Sequence, residues 1–175
     1  MTAKTSWQAV LLWLAASLVE AIVLARAAAW TERTLMASPF SPILLGAACG
    51  MAAAVLANYF GNVSPAVFQW GTILAALVCI AAVHVFFYLD YCEGFSRAFS
   101  AKDDSLVMKM VEHAQPVSFG EFMASGAQRQ FGVLPGWLWW IVSGGLTIVA
   151  CVALGTLMWR SNDQGLAVKP QADGS

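Results

Sequence analysis

Two side chains of residue types that can transfer protons, a glutamate and a histidine, interrupt long apolar runs of the sequence. Glu20 lies about two-thirds of the way through the first run, and His84 lies in the third. An ionised carboxylate in the middle of a bilayer costs at least about 2.5 kcal/mol on insertion scales, so Glu20 is expected to face the protein interior. There it acts either as a neutral acid hydrogen-bonded to a neighbouring helix or as a proton-relay or ligand-binding group.

His84 is a weak candidate for binding a cofactor. Histidine is a common axial haem ligand, but a b-type site inside a membrane needs a second ligand, and His113 lies outside the apolar runs. We therefore predict no cofactor and interpret His84 as a hydrogen-bonded structural residue. At about 1.5 Å per residue, Glu20 and His84 would lie within roughly 7 to 8 Å of each other in depth. That proximity keeps open a proton-coupled role for the pair.

The four cysteines show no spacing that is typical of a thiol or metal site. Cys49, Cys79, Cys92 and Cys151 are 30, 13 and 59 residues apart, which matches neither a CxxC redox pair nor a zinc-ligand pattern. Three of them lie in apolar runs, where a free cysteine behaves as a small hydrophobic residue. We predict that role for them, with a disulfide or a reactive thiol as the alternatives.

Three charged residues follow the third apolar run at helical spacing. Asp90, Glu93 and Arg97 are three, four and seven residues apart, which suits ion pairs along one helix face. A metal site would need at least one further oxygen or nitrogen ligand at a defined position. We therefore predict ion pairing here and no metal.

Small residues mark the second apolar run as a packing helix. They form two adjacent stripes with a spacing of four, and the residues are Gly46, Gly50 and Ala54 in one stripe and Ala53, Ala57 and Gly61 in the other. Such faces let two helix backbones approach closely in lipid, where apolar burial does not drive helix association. The stripes predict close packing either within this chain or against another subunit or a second copy.

Four apolar segments must position these residues. Hydrophobic residues make up 59% of the 175 residues and charged residues only 11%, against about 45–50% and about 25% in soluble domains. The segments run over residues 7–29, 40–60, 66–88 and 137–159, and each has the roughly 20 residues that a membrane-spanning helix needs. We predict an all-α integral membrane protein with four transmembrane helices in an antiparallel bundle.

The region 90–135 is predicted to be a folded polar connector. Apolar residues at helical spacing indicate one amphipathic helix within 104–115, and Ser118-x-x-Glu121 is a capping box that starts a second. The apolar side chains after this cap are Phe119, Phe122 and Met123. They either cap the end of the bundle or form a docking platform for a partner.

Residues 1–160 are predicted to be a single membrane domain, and residues 161–175 a disordered tail, because the tail is polar and has no apolar period. Nine basic residues against ten acidic ones leave no excess of positive charge, which argues against nucleic acid as a partner.

The function expected from these features is that of a non-catalytic structural or accessory subunit of a larger membrane protein complex, with lipid and other membrane subunits as its partners. One alternative is a redox or proton-coupled enzyme subunit that uses Glu20 and His84. Another is a small oligomeric transporter, whose polar lining would come from Gln69, Thr72, Ser143 and Thr147.

Basic residues favour one orientation in the membrane. Arg26, Arg33, Arg97, Lys102, Lys109 and Arg129 lie near the two longer connections, whereas Lys4, Arg160 and Lys169 lie near the termini. The positive-inside rule then places loops 30–39 and 90–135 in the cytoplasm and both termini outside. The membrane is expected to be a bacterial cytoplasmic membrane.

Overall fold

The computed structural model describes residues 7–35, 40–61, 63–100, 116–124 and 136–167, and every regular element among them is helical. The long helices are α1 (Trp7–Leu35), α2 (Ser41–Phe60), α3 (Pro65–Ser100) and α4 (Gly136–Ala167). The segments long and apolar enough to cross a membrane are Trp7–Thr31, Ser41–Phe60, Pro65–Arg97 and Trp140–Ser161. The prediction of an all-helical protein with four helices of membrane-spanning length and composition is thereby confirmed.

The turn between α2 and α3 is built by a glycine and a serine cap. Gly61 has a backbone φ of 65°, which residues other than glycine rarely adopt. Its N–H donates to the carbonyl of Ala57 at 2.9 Å. Ser64 then caps α3, because its Oγ accepts the N–H of Val67 at 3.4 Å. The chain can therefore reverse within a few residues. Gly61 ends the helix instead of packing against another one.

Helix α3 extends well beyond the apolar run that predicts it. The polar connector is predicted to begin at residue 90, but the helix continues through Ser100. Glu93 and Arg97 form an ion pair one turn apart in this extension, and no proline interrupts it. The predicted amphipathic helix within 104–115 lies outside the described residues.

Helix α4 also continues past its predicted end. It runs to Ala167, whereas the disordered tail is predicted to begin at residue 161. Pro170 is the first proline after the membrane-spanning segment, so nothing in 161–167 forces the helix to stop. Residues 168–175 lie outside the described residues.

The helices form a ring in which each has two principal neighbours. The most extensive packing joins α2 to α4, followed by α1 to α3, α1 to α2, and α3 to α4. Gly46 of α2 lies against Thr147 of α4, and Gly50, four residues later, lies against Cys151, also four residues later. These two helices therefore run in the same direction.

The small residues of α2 pack inside this chain. Gly46, Gly50, Ala53, Ala54 and Ala57 are all buried. A Cβ added to Gly46 or Gly50 would collide with the backbone carbonyl oxygen of Thr147 or Cys151, so α2 and α4 are in direct backbone contact. The surface that the sequence offers to a partner subunit is thus occupied by helices of the chain itself.

A buried tryptophan ties all four helices together near one end of the bundle. Trp13 of α1 is fully buried, and its Nε1–H donates to the carbonyl of Ala53 in α2 at 3.0 Å. Its ring lies against Gly71 of α3, where a Cβ would collide with it. The ring also stacks on Phe68 at 5.8 Å, and Phe68 stacks on Trp159 of α4 at 5.1 Å. These contacts fix the register of the helices.

Candidate functional site

Three cysteines from three different helices meet in the core of the bundle. Cys49 of α2, Cys79 of α3 and Cys151 of α4 are each fully buried and belong to the same core cluster. The Cys49 thiol interacts electrostatically with the thiols of both Cys151 and Cys79. Cys49 therefore occupies the middle of the group.

The close contact between α2 and α4 explains why these thiols meet. Gly50 follows Cys49 directly and lies against the backbone of Cys151, and a Cβ on Gly155 would lie 2.9 Å from the carbonyl oxygen of Gly50. A helix pair without side chains at the contact brings the flanking residues closer than ordinary helix packing does. The Cys151 thiol also lies 3.8 Å from the carbonyl oxygen of Thr72, which holds it toward α3.

The remaining helix, α1, contributes the carboxyl group of Glu20 to the region of the three thiols. Both side-chain oxygens of Glu20 are buried, and among the described residues neither has a hydrogen-bond partner. Glu20 interacts electrostatically with Cys49, Cys79 and Cys151. We refer to Glu20, Cys49, Cys79 and Cys151 as the thiol–carboxyl centre.

The thiol–carboxyl centre lies at the middle of the membrane-spanning segments. The midpoints of the four segments fall at about residues 19, 50, 81 and 150, so each member of the centre is within two residues of the middle of its own helix. The group therefore lies midway along the segments that are long and apolar enough to cross a membrane. Charge at this depth is costly, which favours the neutral forms of all four side chains.

His84 lies beside Trp140 of α4 and not beside Glu20. Its ring packs edge-on against Trp140 of α4, with 4.0 Å between the ring centroids. Its buried Nδ1 has no hydrogen-bond partner among the residues that the structure describes. The structure thus brings Glu20 to the thiols and His84 to an indole, and the predicted proximity in depth does not become a contact.

The polar residues that would line a transport path are engaged in helix packing. Thr72 donates to the carbonyl of Phe68, and Ser143 donates to the carbonyl of Trp140 at 3.2 Å. The Thr147 hydroxyl lies 3.1 Å from the carbonyl oxygen of Pro42 and 2.9 Å from that of Ser143. Three of the four candidates are thus bonded to backbone inside the bundle. The fourth, Gln69, is exposed on α3.

An ion pair between two helices was missed by reasoning from spacing alone. Asp90 is predicted to pair along its own helix, but it accepts a hydrogen bond from Arg26 of α1 at 2.9 Å. The Arg26 guanidinium also lies over the Phe86 ring, 5.3 Å from its centroid. Only Glu93 and Arg97 pair along α3 as predicted. The α1–α3 pair joins the helices at the end of their apolar stretches.

The described part of the connector folds back onto α3 and α4. The Tyr88 hydroxyl donates to the carbonyl of Val117 at 3.2 Å, and the Tyr88 ring contacts the rings of Phe119 and Phe122 at 5.3 and 5.6 Å. From α4, Trp140 Nε1–H donates to the carbonyl of Met123 at 2.7 Å. We call residues 117–123 with these contacts the connector clasp.

The predicted capping box starts the helical segment 119–124 of the clasp. The Ser118 N–H and hydroxyl donate to the Glu121 carboxylate at 3.0 and 2.8 Å, and the Glu121 N–H donates to Ser118 Oγ at 3.4 Å. The bonds from Ser118 hold the pKa of Glu121 below its usual range, because they favour the ionised carboxylate.

Within the described ranges, no group of three or more histidine, cysteine, aspartate or glutamate side chains is arranged to hold a metal ion. No protein-family model matches the chain, and neither a curated protein nor a solved structure matches it. The interpretation of the site consequently depends on its own chemistry. That chemistry is concentrated in the thiol–carboxyl centre and, outside the apolar segments, in the connector clasp.

Proposed function

We propose that the chain crosses a bacterial cytoplasmic membrane as an antiparallel four-helix bundle, with both termini on the outer side and both longer connections in the cytoplasm. The contact register supports this arrangement. Residues of α2 and α4 rise in number together, and so do the α1–α3 pairs Trp13 with Phe68 and Arg26 with Asp90. An even number of spans puts the two termini on one side and the two longer connections on the other, and the excess of basic residues near the connections favours the cytoplasm for the side of the connections.

We also propose that the protein is a non-catalytic structural or accessory subunit of a larger membrane complex. The observation that carries this proposal is the continuation of α3 beyond residue 88, where the apolar run of the sequence ends. From Asp90 to Ser100 the helix continues for about 15 Å, and the connector clasp is packed against its base. A folded projection of this kind offers a partner a preformed surface at the membrane boundary.

Phe119 is the part of this surface best placed to contact a partner. Its side chain is 41% exposed although it touches Tyr88, whereas Phe122 and Met123 are partly buried by the chain itself. Aromatic residues, phenylalanine included, are enriched at protein interfaces relative to the rest of the protein surface. The docking role proposed for the connector therefore centres on Phe119.

The alternatives have weaker support. A transporter needs polar groups that face an aqueous path, but the hydroxyls of Thr72, Ser143 and Thr147 are bonded to backbone within the bundle. A proton-coupled enzyme subunit based on Glu20 and His84 needs a proton to pass between these two side chains. Glu20 instead interacts with the thiol of Cys49, and His84 packs against Trp140.

Purification of the tagged full-length protein in mild detergent tests the subunit proposal. We expect the wild type to elute with at least one further chain, and Phe119→Ala to reduce the yield of that chain several-fold. The matched control is Leu157→Ala, which truncates a side chain that is 63% exposed on the outer face of α4 and should leave the yield unchanged. A wild-type protein that elutes as a lone monomer would refute the proposal.

A further inference from the structure

The arrangement of thiols in the thiol–carboxyl centre supports a covalent reaction that is independent of the proposed subunit function. Cys49 shares one buried core cluster with Cys79 and Cys151 and interacts with both, so oxidation at its sulfur would find a second thiol close by. Disulfide formation needs the two backbones to be close. The direct backbone contact of Gly50 with Cys151 meets this need between α2 and α4.

We propose that Cys49 and Cys151 form a reversible disulfide when a small uncharged hydroperoxide enters the bundle. In the first step Cys49 Sγ attacks one peroxide oxygen, the O–O bond breaks, and Cys49 becomes a sulfenic acid as one water leaves. In the second step Cys151 Sγ attacks the Cys49 sulfur, the S–O bond breaks, and a second water leaves. Two thiols are thereby oxidised by two electrons, and hydrogen peroxide is reduced to two waters.

Glu20 supplies the proton transfer that the first step needs. A carboxylic acid can accept the thiol proton on one oxygen while it donates its own proton from the other to the leaving hydroxide. Both oxygens of Glu20 are buried, and neither has a hydrogen-bond partner among the described residues, so both are free for this exchange. Glu20 interacts electrostatically with Cys49, and a proton acceptor that reaches the thiol is what a buried thiol requires to act as a nucleophile.

The position of the centre favours this reaction over those that leave a charge behind. All four groups lie at the middle of the membrane-spanning segments, where an uncompensated charge is costly. Oxidation of two neutral thiols to a neutral disulfide leaves no charge in the bundle, and peroxide and water are both uncharged. The product links α2 covalently to α4 and locks the tightest helix pair of the fold.

Thiol counting on the full-length protein in membranes tests the proposal. Membranes are treated with hydrogen peroxide, the protein is denatured without reductant, free thiols are tagged with a maleimide of known mass, and peptides are analysed for cross-links. We expect the loss of two of the four tags, a peptide that links Cys49 to Cys151, and recovery of both tags after reduction. Four retained tags, or a link between Cys49 and Cys79, would overturn the proposal.

Matched variants distinguish oxidation within the thiol–carboxyl centre from oxidation of a cysteine outside it. Cys49→Ala should abolish the cross-link, whereas Cys92→Ala removes a thiol that is only partly buried outside the centre and should leave the cross-link intact. Glu20→Gln should slow cross-link formation by about 100-fold, the lower end of the range for loss of an acid–base group. If Cys49→Ala does not accumulate, Cys151→Ala serves the same purpose. A cross-link that forms at the wild-type rate in Glu20→Gln would refute the role of the carboxyl group.

Discussion

Gly50 of α2 lies directly against the backbone of Cys151 in α4, so close that a Cβ on Gly50 would overlap the Cys151 carbonyl oxygen. This contact does two things at once. It gives α2 and α4 the most extensive packing in the fold, and it places the thiol of the preceding residue, Cys49, beside that of Cys151. Packing and the thiol–carboxyl centre therefore depend on the same glycine.

Gly50→Ala should destabilise the isolated chain. Because the added Cβ meets backbone and not a flexible side chain, α2 and α4 must separate, at a cost of about 1–3 kcal/mol by analogy with overpacked cores. The measurement is unfolding of the purified protein in micelles. Gly145→Ala is the control, since a Cβ on Gly145 meets nothing within 4 Å, and it should leave stability unchanged or slightly raised.

A purely intermolecular role for these small residues makes a different prediction. On that interpretation a bulky residue at position 50 or 54 would release a partner without unfolding the chain. If Gly50→Ala and Gly50→Leu left the unfolding of the purified monomer unchanged, the contact with Cys151 would not be a stabilising one.

Trp13→Phe should lower stability by about 1 kcal/mol, because Phe loses the bond from Nε1–H to the carbonyl of Ala53 and replaces the fully buried indole by a smaller ring. Trp70→Phe changes a side chain that is 72% exposed and should have no effect. Equal unfolding transitions for the two variants would contradict the role given to Trp13.

The spans could be predicted from the sequence because lipid imposes a strong and simple requirement. About 20 apolar residues are needed for each crossing, so runs of that length locate the helices closely, and Gly61 and Ser64 mark the turn between α2 and α3. The helix ends outside the apolar stretches were underestimated. Water does not require a helix to stop, so α3 and α4 continue where no proline or cap ends them.

The sequence shows at which level of the bundle the residues of the thiol–carboxyl centre lie, but not which helix face carries them. Glu20, Cys49, Cys79 and Cys151 each lie well inside an apolar run and within two residues of the midpoint of a membrane-spanning segment, which was a usable signal that they share one level of the bundle. Their orientation is not encoded in the same way. A helix in lipid is apolar on every side, so hydrophobic periodicity does not show which face points inward. The small residues of α2 gave the only directional signal, and Cys49 adjoins them.

Glu20→Leu should leave stability unchanged or raise it. From the sequence alone, a hydrogen-bonded Glu20 would leave its partner unpaired after this change, and a loss on the order of 1 kcal/mol would be expected. In the structure neither oxygen of Glu20 has a partner among the described residues, so Leu removes a buried polar group and orphans nothing. Unfolding of Glu20→Leu, Glu20→Gln and wild type in the same detergent decides between the two, and a clear loss in Glu20→Leu would show that the carboxyl group has a partner.

The connector clasp should loosen in acid through Glu121. Its pKa is lowered in the folded state by the bonds from Ser118, so its contribution to the cap is present above the ordinary glutamate pKa of about 4.3 and is lost as the pH falls through the lowered value. Amide exchange of residues 119–124 should therefore speed up in that acidic range.

Glu121→Gln is the control for this pH dependence. The amide oxygen can still accept a bond from Ser118 but does not titrate, so amide exchange in the variant should lack the acid transition while keeping part of the protection at neutral pH. An acid transition of the same size in Glu121→Gln would assign the effect to another group.

The last prediction concerns orientation. Six basic residues lie near the two longer connections and three near the termini, so a reporter fused after the last residue should be active when it is an exported enzyme and silent when it is one that works only in the cytoplasm. Arg26 is not suitable for testing the charge asymmetry by substitution, because its removal would also break the ion pair with Asp90. Adding two lysines after Arg160 instead raises the charge on the terminal side and should increase the minority orientation. Strong cytoplasmic-reporter activity in the unmodified fusion would reverse the assignment.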